Sequence, residues 1–387
     1  MKRILVLTKD YFKLSSPNAI CIQGIVNEWK SNNIEVDIIS AENNKCISNK
    51  HNIFISKPTV KLQRIKKLIS YPLDSDKLVQ EYEKAIESCI LNNNYDLIIA
   101  VVNPTETAQA LCNIKKEYPN LKTCLYEIDP ISNRYKIPKN LLEKYLRQRA
   151  VSWSCKIYSK LDCVIHMVTH KTYFDTDLFS EFQGKSYYLD IPALRFVNEK
   201  DNVNSQEKIT IVYAGAFYKK LRNPIKIINA LKIVCSKHPV KVLLYINNIM
   251  QDEIRRITES QRESFYISGY IPEKELNEIL MSSSILLSVG NKDSDFLPSK
   301  IFTYFGMNKP VIHYSFDTND VALPYLQKYG NSLCVSDQDS IEILAEKMEK
   351  FILEKDSKIY SKEELNTMFI ENTPQYNAEK IIEYCEV

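Results

Sequence analysis

Short apolar runs recur along the chain, each followed by a longer stretch whose apolar residues return every three or four positions. Residues 4–7, 36–40, 96–102, 123–128 and 163–168 are apolar at nearly consecutive positions, as strands buried on both faces must be. Amphipathic segments such as 19–30 and 78–91 separate them and predict helices. A second series starts at 209–214 and continues through 240–246, 265–268, 285–289, 310–313 and 332–335. Between the series, residues 190–208 hold Pro192 and the polar stretch 198–207, the best linker candidate. Strand–helix alternation predicts parallel sheets covered by helices, and its restart after a polar break predicts two Rossmann-like halves. Beyond Ser340 the pattern reads as helix to the end, with Pro374 suited to the first turn of the last one. The expected organisation is a first domain at 1–192, a linker at 193–207, a second domain at 208–370 and a terminal helix at 371–387.

Composition agrees and narrows the classes. The 387 residues make about two domains of ordinary size. Hydrophobic residues at 44% and charged residues at 26% allow sizeable cores. Lys+Arg 51 against Asp+Glu 48 leaves +3, too balanced for a wholesale nucleic-acid binder. Seven glycines argue against a Gly-rich phosphate loop. The ten cysteines contain no Cys-x-x-Cys pair, and several, such as Cys124, Cys163 and Cys334, sit inside apolar runs. They read as small buried hydrophobes in a reducing compartment. The opening apolar stretch is too short for a signal peptide, and the run at 97–102 is far short of the ~20 residues that span a bilayer. A cytoplasmic chain is expected.

Three strand-to-helix loops could carry chemistry. In 288–315, SVGNKDSDFLPSKIFTYFGMNKPVIHYS, a strand ends at Gly290 and Pro298 sits where a helix begins, so Ser299 and Lys300 fall in its first turn. Free backbone N–H groups there favour an anion; an ordinary helix start with a solvated lysine is the plain alternative. In 213–224, YAGAFYKKLRNP, Gly215 lets a ligand approach the backbone and Lys219, Lys220 and Arg222 could neutralise phosphate. The loop 8–18 offers Ser15, Ser16 and Asn18, of which Asn18 is suited to cap the following helix.

At these segments the sequence resembles the GT-B glycosyltransferases, close to glycosyltransferase family 4 and its bacterial surface-polysaccharide relatives. The resemblance is carried by ILVLTKDYFKLSSPNAICIQ, LYEIDPISN, VYAGAFYKKLRNP and most specifically LPSKIFTYFGMNKPVIHY. It implies an α/β architecture of two Rossmann-like domains facing each other across a cleft, the C-terminal helix crossing back to the first. It also implies transfer of a sugar from a nucleotide donor, usually a UDP-sugar, held by the second domain. Carried over by position, Lys300 and Ser299 resemble a diphosphate clamp, with Arg222 and Lys219 as the other cationic arm and Gly215 and Asn291 beside them. Gly269, Tyr270 and Ile271 are similar to the segment whose backbone reads the nucleobase. Glu127 and Asp129 fall on the acceptor side, where a carboxylate can orient or deprotonate a hydroxyl; a carboxylate satisfied at a strand end is the alternative. Ser15, Ser16, Asn18 and Asn103 are assigned to the same side. One departure stands out. Where the family often has two glutamates separated by seven residues, this chain has Asp295 and Thr303, and threonine lacks the carboxylate that grips a ribose diol.

No metal or other cofactor is expected. Asp-x-Asp occurs at 293–295 but also at 74–76, 175–177 and 337–339, which shows how cheaply the pattern arises. Cys163, His166 and His170 have a superficially metal-like spacing but no evident fourth ligand, and read as core residues. Lys45, Lys50, Lys57, Lys61, Arg64, Lys66 and Lys67 lie in a stretch without acidic residues, with Leu62, Ile65, Leu68 and Ile69 at helical spacing. That run is either a solvated face or a contact for anionic lipid on the inner face of the plasma membrane, or for a polyprenyl-diphosphate acceptor. The expectation is a glycosyltransferase acting on a glycan or lipid-linked acceptor in surface-polysaccharide assembly. The alternatives are a non-catalytic partner subunit, to which Thr303 points, and a nucleotide-sugar epimerase.

Overall fold

The computed structural model describes residues 2–9, 11–12, 16–41, 52–54, 70–102, 104–133, 138–196, 209–292, 296–354 and 358–387. The chain divides into two compact units, Met1–Pro192 with Pro374–Val387, and Ala193–Thr373. In the first, β1 (Arg3–Lys9), β2 (Glu35–Ala41), β3 (Asn52–Phe54), β4 (Leu97–Val102), β5 (Thr123–Glu127), β6 (Cys163–Met167) and β7 (Ser186–Leu189) form one sheet in the order β3-β2-β1-β4-β5-β6-β7. Every neighbouring pair is parallel. The central β4, LIIAVV, is buried at each residue, because helices cover both faces and no side chain can turn to water.

Alternation along the strands divides this unit into two cores. Leu5, Leu7, Ile98, Ala100 and Leu125 pack with Tyr82 and Tyr158 on one face. Ile4, Val6, Leu97, Ile99 and Val101 pack with Trp29 and Ile381 on the other. Ile381 belongs to the last helix, Pro374–Tyr384, which lies along helix Pro17–Ser31. Trp29 Nε1 donates to the Ala378 carbonyl at 2.9 Å, so the indole buries its ring without stranding its donor. Pro374 opens this helix as expected.

The second unit repeats the winding. Strands β8 (Ile209–Gly215), β9 (Val240–Ile246), β10 (Phe265–Ser268), β11 (Ile285–Val289), β12 (Val311–Ser315) and β13 (Ser332–Ser336) run in the order β10-β9-β8-β11-β12-β13, again all parallel. Helix Ile225–Lys237 turns Ile227, Ile228, Leu231 and Val234 inward and packs on helix Ile341–Leu353. Ser340 caps the latter by accepting from the Ile343 N–H at 3.2 Å.

Two strands carried no signal in the sequence. β3 is only three residues long, and β7 is only half-buried over most of its length; both are edge strands, which need less apolar surface than the centre. Cys334, expected inside a core, is exposed on the edge strand β13. The segment 193–196 belongs to the second unit, where the Leu194 N–H donates to the Asn372 carbonyl at 2.9 Å. The basic run 45–67 lies outside the described residues except for the backbone of 52–54. Among the described residues no helix is long and apolar enough to cross a membrane.

Candidate functional site

Both sheets reverse their winding order once, between β1 and β4 and between β8 and β11. In a parallel α/β sheet the loops at the carboxyl ends part at that point and leave room for a ligand. At the second unit's switch point, β8 stops at Gly215 and the chain folds into a small hairpin, Tyr218 and Arg222 exchanging backbone hydrogen bonds of 2.9 and 3.1 Å. The hairpin presents Arg222 toward the loop after β11. Arg222 donates through Nε and Nη2 to Asn291 Oδ1 at 3.2 and 2.9 Å. Asn291 Nδ2 donates in turn to the Phe296 carbonyl at 3.0 Å, and the Lys292 N–H to the Leu221 carbonyl at 2.8 Å. The two loops are thereby fastened together.

Lys300 comes in from helix Lys300–Gly306 and donates from Nζ to the Ala214 carbonyl at 2.6 Å. Among the described residues neither Lys300 nor Arg222 has a salt-bridge partner. Although Lys300 is exposed as a residue, the crowding around its ammonium brings its pKa down to about 8; loss of hydration is the main cause, the Arg222 charge adds to it and Glu273 opposes it. A carbonyl oxygen is a weaker partner for an ammonium than an anion is. The arrangement therefore favours a negative guest.

The remaining positions on this side differ in how much they contribute. A Cβ on Gly215 would come within 2.8 Å of the Tyr213 hydroxyl, so the bare backbone is needed there for packing as much as for access. Ser299 sits at the N-cap of the helix without a side-chain capping bond, and the helix has only seven residues. The macrodipole expected from a longer helix is correspondingly short, and the fixed cations carry the field. Thr303 is half-buried on the same helix. Lys219 pairs with Glu253 at 3.0 Å, so Arg222 is the uncompensated arm. Gly269, Tyr270 and Ile271 come directly after β10; Tyr270 is 68% exposed, and its phenol lies in the field of Tyr218 and Arg222. Asp295 lies outside the described residues.

Beneath this layer is a chain of buried polar groups that the sequence did not signal. His313 Nδ1 lies 3.0 Å from Ser288 Oγ and its Nε2 3.1 Å from Asp320 Oδ2, all three residues being buried. Burial pulls the Asp320 pKa up, but the hydrogen bond and charge of His313 and the Ala322 N–H outweigh it and leave the carboxyl below its ordinary range. A Cβ on Gly290 would stand 2.2 Å from Asp320 Oδ2. A larger residue at 290 would have to push the Asp320 carboxylate off His313. An open depression of about 530 Å³ near Ser236, Glu259 and Arg262 lies at the amino ends of the strands and holds no comparable convergence.

In the first unit the start of helix Pro17–Ser31 meets the segment just after β5. Ser16 is the N-cap of helix Pro17–Ser31 and makes no side-chain capping bond. Asn18, expected as the cap, lies inside the first turn and hydrogen-bonds Asp129. Asp129 is pushed above the ordinary carboxylate range by burial, which the Asn18 bond opposes and the Glu127 charge reinforces. Glu127 is itself wholly buried. Its Oε2 accepts from Tyr158 OH at 2.6 Å and lies 3.0 Å from His166 Nδ1, whereas Oε1 is buried without a hydrogen bond among the described residues. Of the two carboxylates only Asp129 keeps partial exposure. Ser15 and Asn103 lie outside the described residues. His170 faces Asn133 at 3.2 Å, and Cys163 points to the other face of β6 from His166.

No family model matches the chain, and no curated protein matches it. Solved structures do. A sucrose-phosphate synthase from Thermosynechococcus elongatus aligns with a TM-score of 0.68 at 13% identity, over 99% of this chain and 98% of that one. A UDP-N-acetylglucosamine 2-epimerase aligns with 0.58 at 11% identity, over 99% and 95%. The lipopolysaccharide outer core galactosyltransferase WaaB, in its apo form, aligns with 0.57 at 8% identity over the full length of both chains.

Proposed function

We propose, with the GT-B fold of this chain as the premise, that it is a glycosyltransferase using a nucleotide-sugar donor, a UDP-sugar by preference. The observation that carries the reading is the pair Lys300 and Arg222, two cations at the carboxyl end of β8 without carboxylate partners among the described residues. As the bond from the anomeric carbon to the leaving oxygen lengthens, its electron pair moves onto the departing diphosphate. Lys300 donates to a carbonyl and Arg222 is clasped by Asn291, so both are already oriented to meet that charge, the condition under which electrostatic stabilisation is most effective. Tyr270 and Tyr218, exposed beside them, offer ring faces to a nucleobase. The reading needs no divalent metal, since the fixed cations serve as the countercharge. On the first unit, Asp129 with Asn18 is the group suited to orient or deprotonate an acceptor hydroxyl, burial having raised its pKa above that of an ordinary carboxylate.

The acceptor is a glycan or polyprenyl-diphosphate-linked glycan of a surface polysaccharide, with the run 45–67 holding the chain against the cytoplasmic side of an anionic membrane. Titrating the protein with a panel of nucleotide sugars over membrane extract, with products read by mass spectrometry, tests the reading. A new glycan mass formed by the native chain and not by Lys300→Ala is expected; no transfer from any donor would overturn it. The epimerase among the similar structures supports one rival, which the same assay separates. That rival gives an isomerised donor sugar without acceptor.

A further inference from the structure

Three thiols that the chemistry above leaves unused converge in the first unit. Cys124 on β5 and Cys163 on β6 are register partners on neighbouring parallel strands, so their side chains emerge side by side on the face covered by helix Pro374–Tyr384. Cys385, in the turn that ends this helix, closes the group. The three sulfurs lie within 4.8 Å of one another, and all three residues are buried. Three buried cysteines could be only three small apolar side chains, but packing alone does not require their sulfurs to share one centre.

The spacing fits a ligand. Sulfurs bound ~2.3 Å from a common metal stand ~4 Å apart, so the cluster needs only a slight contraction. The donors that converge are all sulfur, which selects soft cations over magnesium or calcium. Three thiolates around a divalent ion leave one negative charge, and the Lys122 ammonium lies in the field of Cys163 and Cys385 to offset it. Hydrogen bonds link the Cys163 sulfur to Cys124 and Cys385, so the three side chains already face one another. The turn bearing Cys385 is fixed from both sides: Tyr384 stacks on Tyr187 with ring centroids 4.4 Å apart, and Lys122 pairs with Glu386 at 3.1 Å. That ion pair is exposed.

We propose that Cys124, Cys163 and Cys385 form a binding site for one soft, thiophilic cation of the Zn²⁺ class, which clamps the last helix to the sheet. Cd²⁺ is the probe. Titrated into the reduced, metal-free full-length chain, it is expected to bind at one equivalent, raise the melting temperature and give an ultraviolet sulfur-to-cadmium charge-transfer band that Zn²⁺ displaces. Cys385→Ala and Cys163→Ser should each abolish the band, while Cys235→Ser and Cys334→Ser leave it intact. Circular dichroism confirms that Cys385→Ala is folded. A band absent from the native chain, or one that survives Cys385→Ala, would overturn the assignment.

Discussion

Beneath the carboxyl ends of both sheets lies a buried carboxylate–imidazole pair, Glu127 with His166 in the first unit and Asp320 with His313 in the second. The layers above them differ. Over the first, Asn18 meets Asp129, a carboxylate short of hydration; over the second stand two cations, Lys300 and Arg222. The pairs differ too. Both oxygens of Asp320 are bonded, to His313 and to the Ala322 N–H, whereas Glu127 Oε1 is buried without a hydrogen bond among the described residues. The similar buried pairs read as floor, and the proposed chemistry belongs to the loops that the strand ends release.

The largest effect should come from breaking the better-satisfied floor. His313→Leu takes the imidazole from Asp320 Oδ2 and leaves the Ala322 N–H on Oδ1; it is expected to cost ~3–5 kcal/mol in urea unfolding. His166→Leu should cost less, because Tyr158 stays on Glu127; equal losses would erase the distinction drawn here. The Asp320 contribution also has a pH signature. Its folded pKa lies below the unfolded value of ~3.9, so this stability is complete above that value and is lost as pH falls through the lower folded one; acid melts of the native chain against His313→Leu read it directly. Next in size, Lys300→Ala should lower turnover ~10²–10³-fold, as Michaelis kinetics would show, and melt no lower than the native chain at neutral pH, since it removes an ammonium short of hydration. Gly290→Ala, which drives a methyl into Asp320, should cost ~1–3 kcal/mol, read as a lower melting temperature. The smallest effect on stability belongs to Asp129→Asn. Because the folded pKa is raised, ionisation at neutral pH is penalised in the folded state, so the amide should melt no lower than the native chain while transfer falls.

Much of this was legible in the residues themselves. Fully covered parallel strands show as unbroken apolar runs, so β1, β2, β4 to β6, β8, β9, β11 and β12 stand out; of the edges, β10 and β13 were legible from short apolar runs and β3 and β7 were not. Lys300 and Arg222 could be read because strand end, proline and basic residue sit within one loop. Glu127 was the harder case. A strand-end carboxylate turns inward or outward according to the pleat, and only the contact with Tyr158 decides it. The roles of His313 and Cys385 depend on partners from other elements, which local pattern does not encode.

A cation poised for a diphosphate stands at the centre of the proposed chemistry, and calorimetric titration of UDP into the native chain, Lys300→Ala and Lys300→Arg tests it most directly. With the folded ammonium at about 8, below the ~10.4 of a free lysine, the unliganded protein gains stability as pH climbs between those values, and anion binding weakens over the same range. UDP affinity of the native chain should therefore fall from pH 7 to pH 9. Lys300→Arg should bind with little pH dependence and Lys300→Ala hardly at all. Equal affinity of all three proteins at both pH values would contradict a diphosphate role for Lys300.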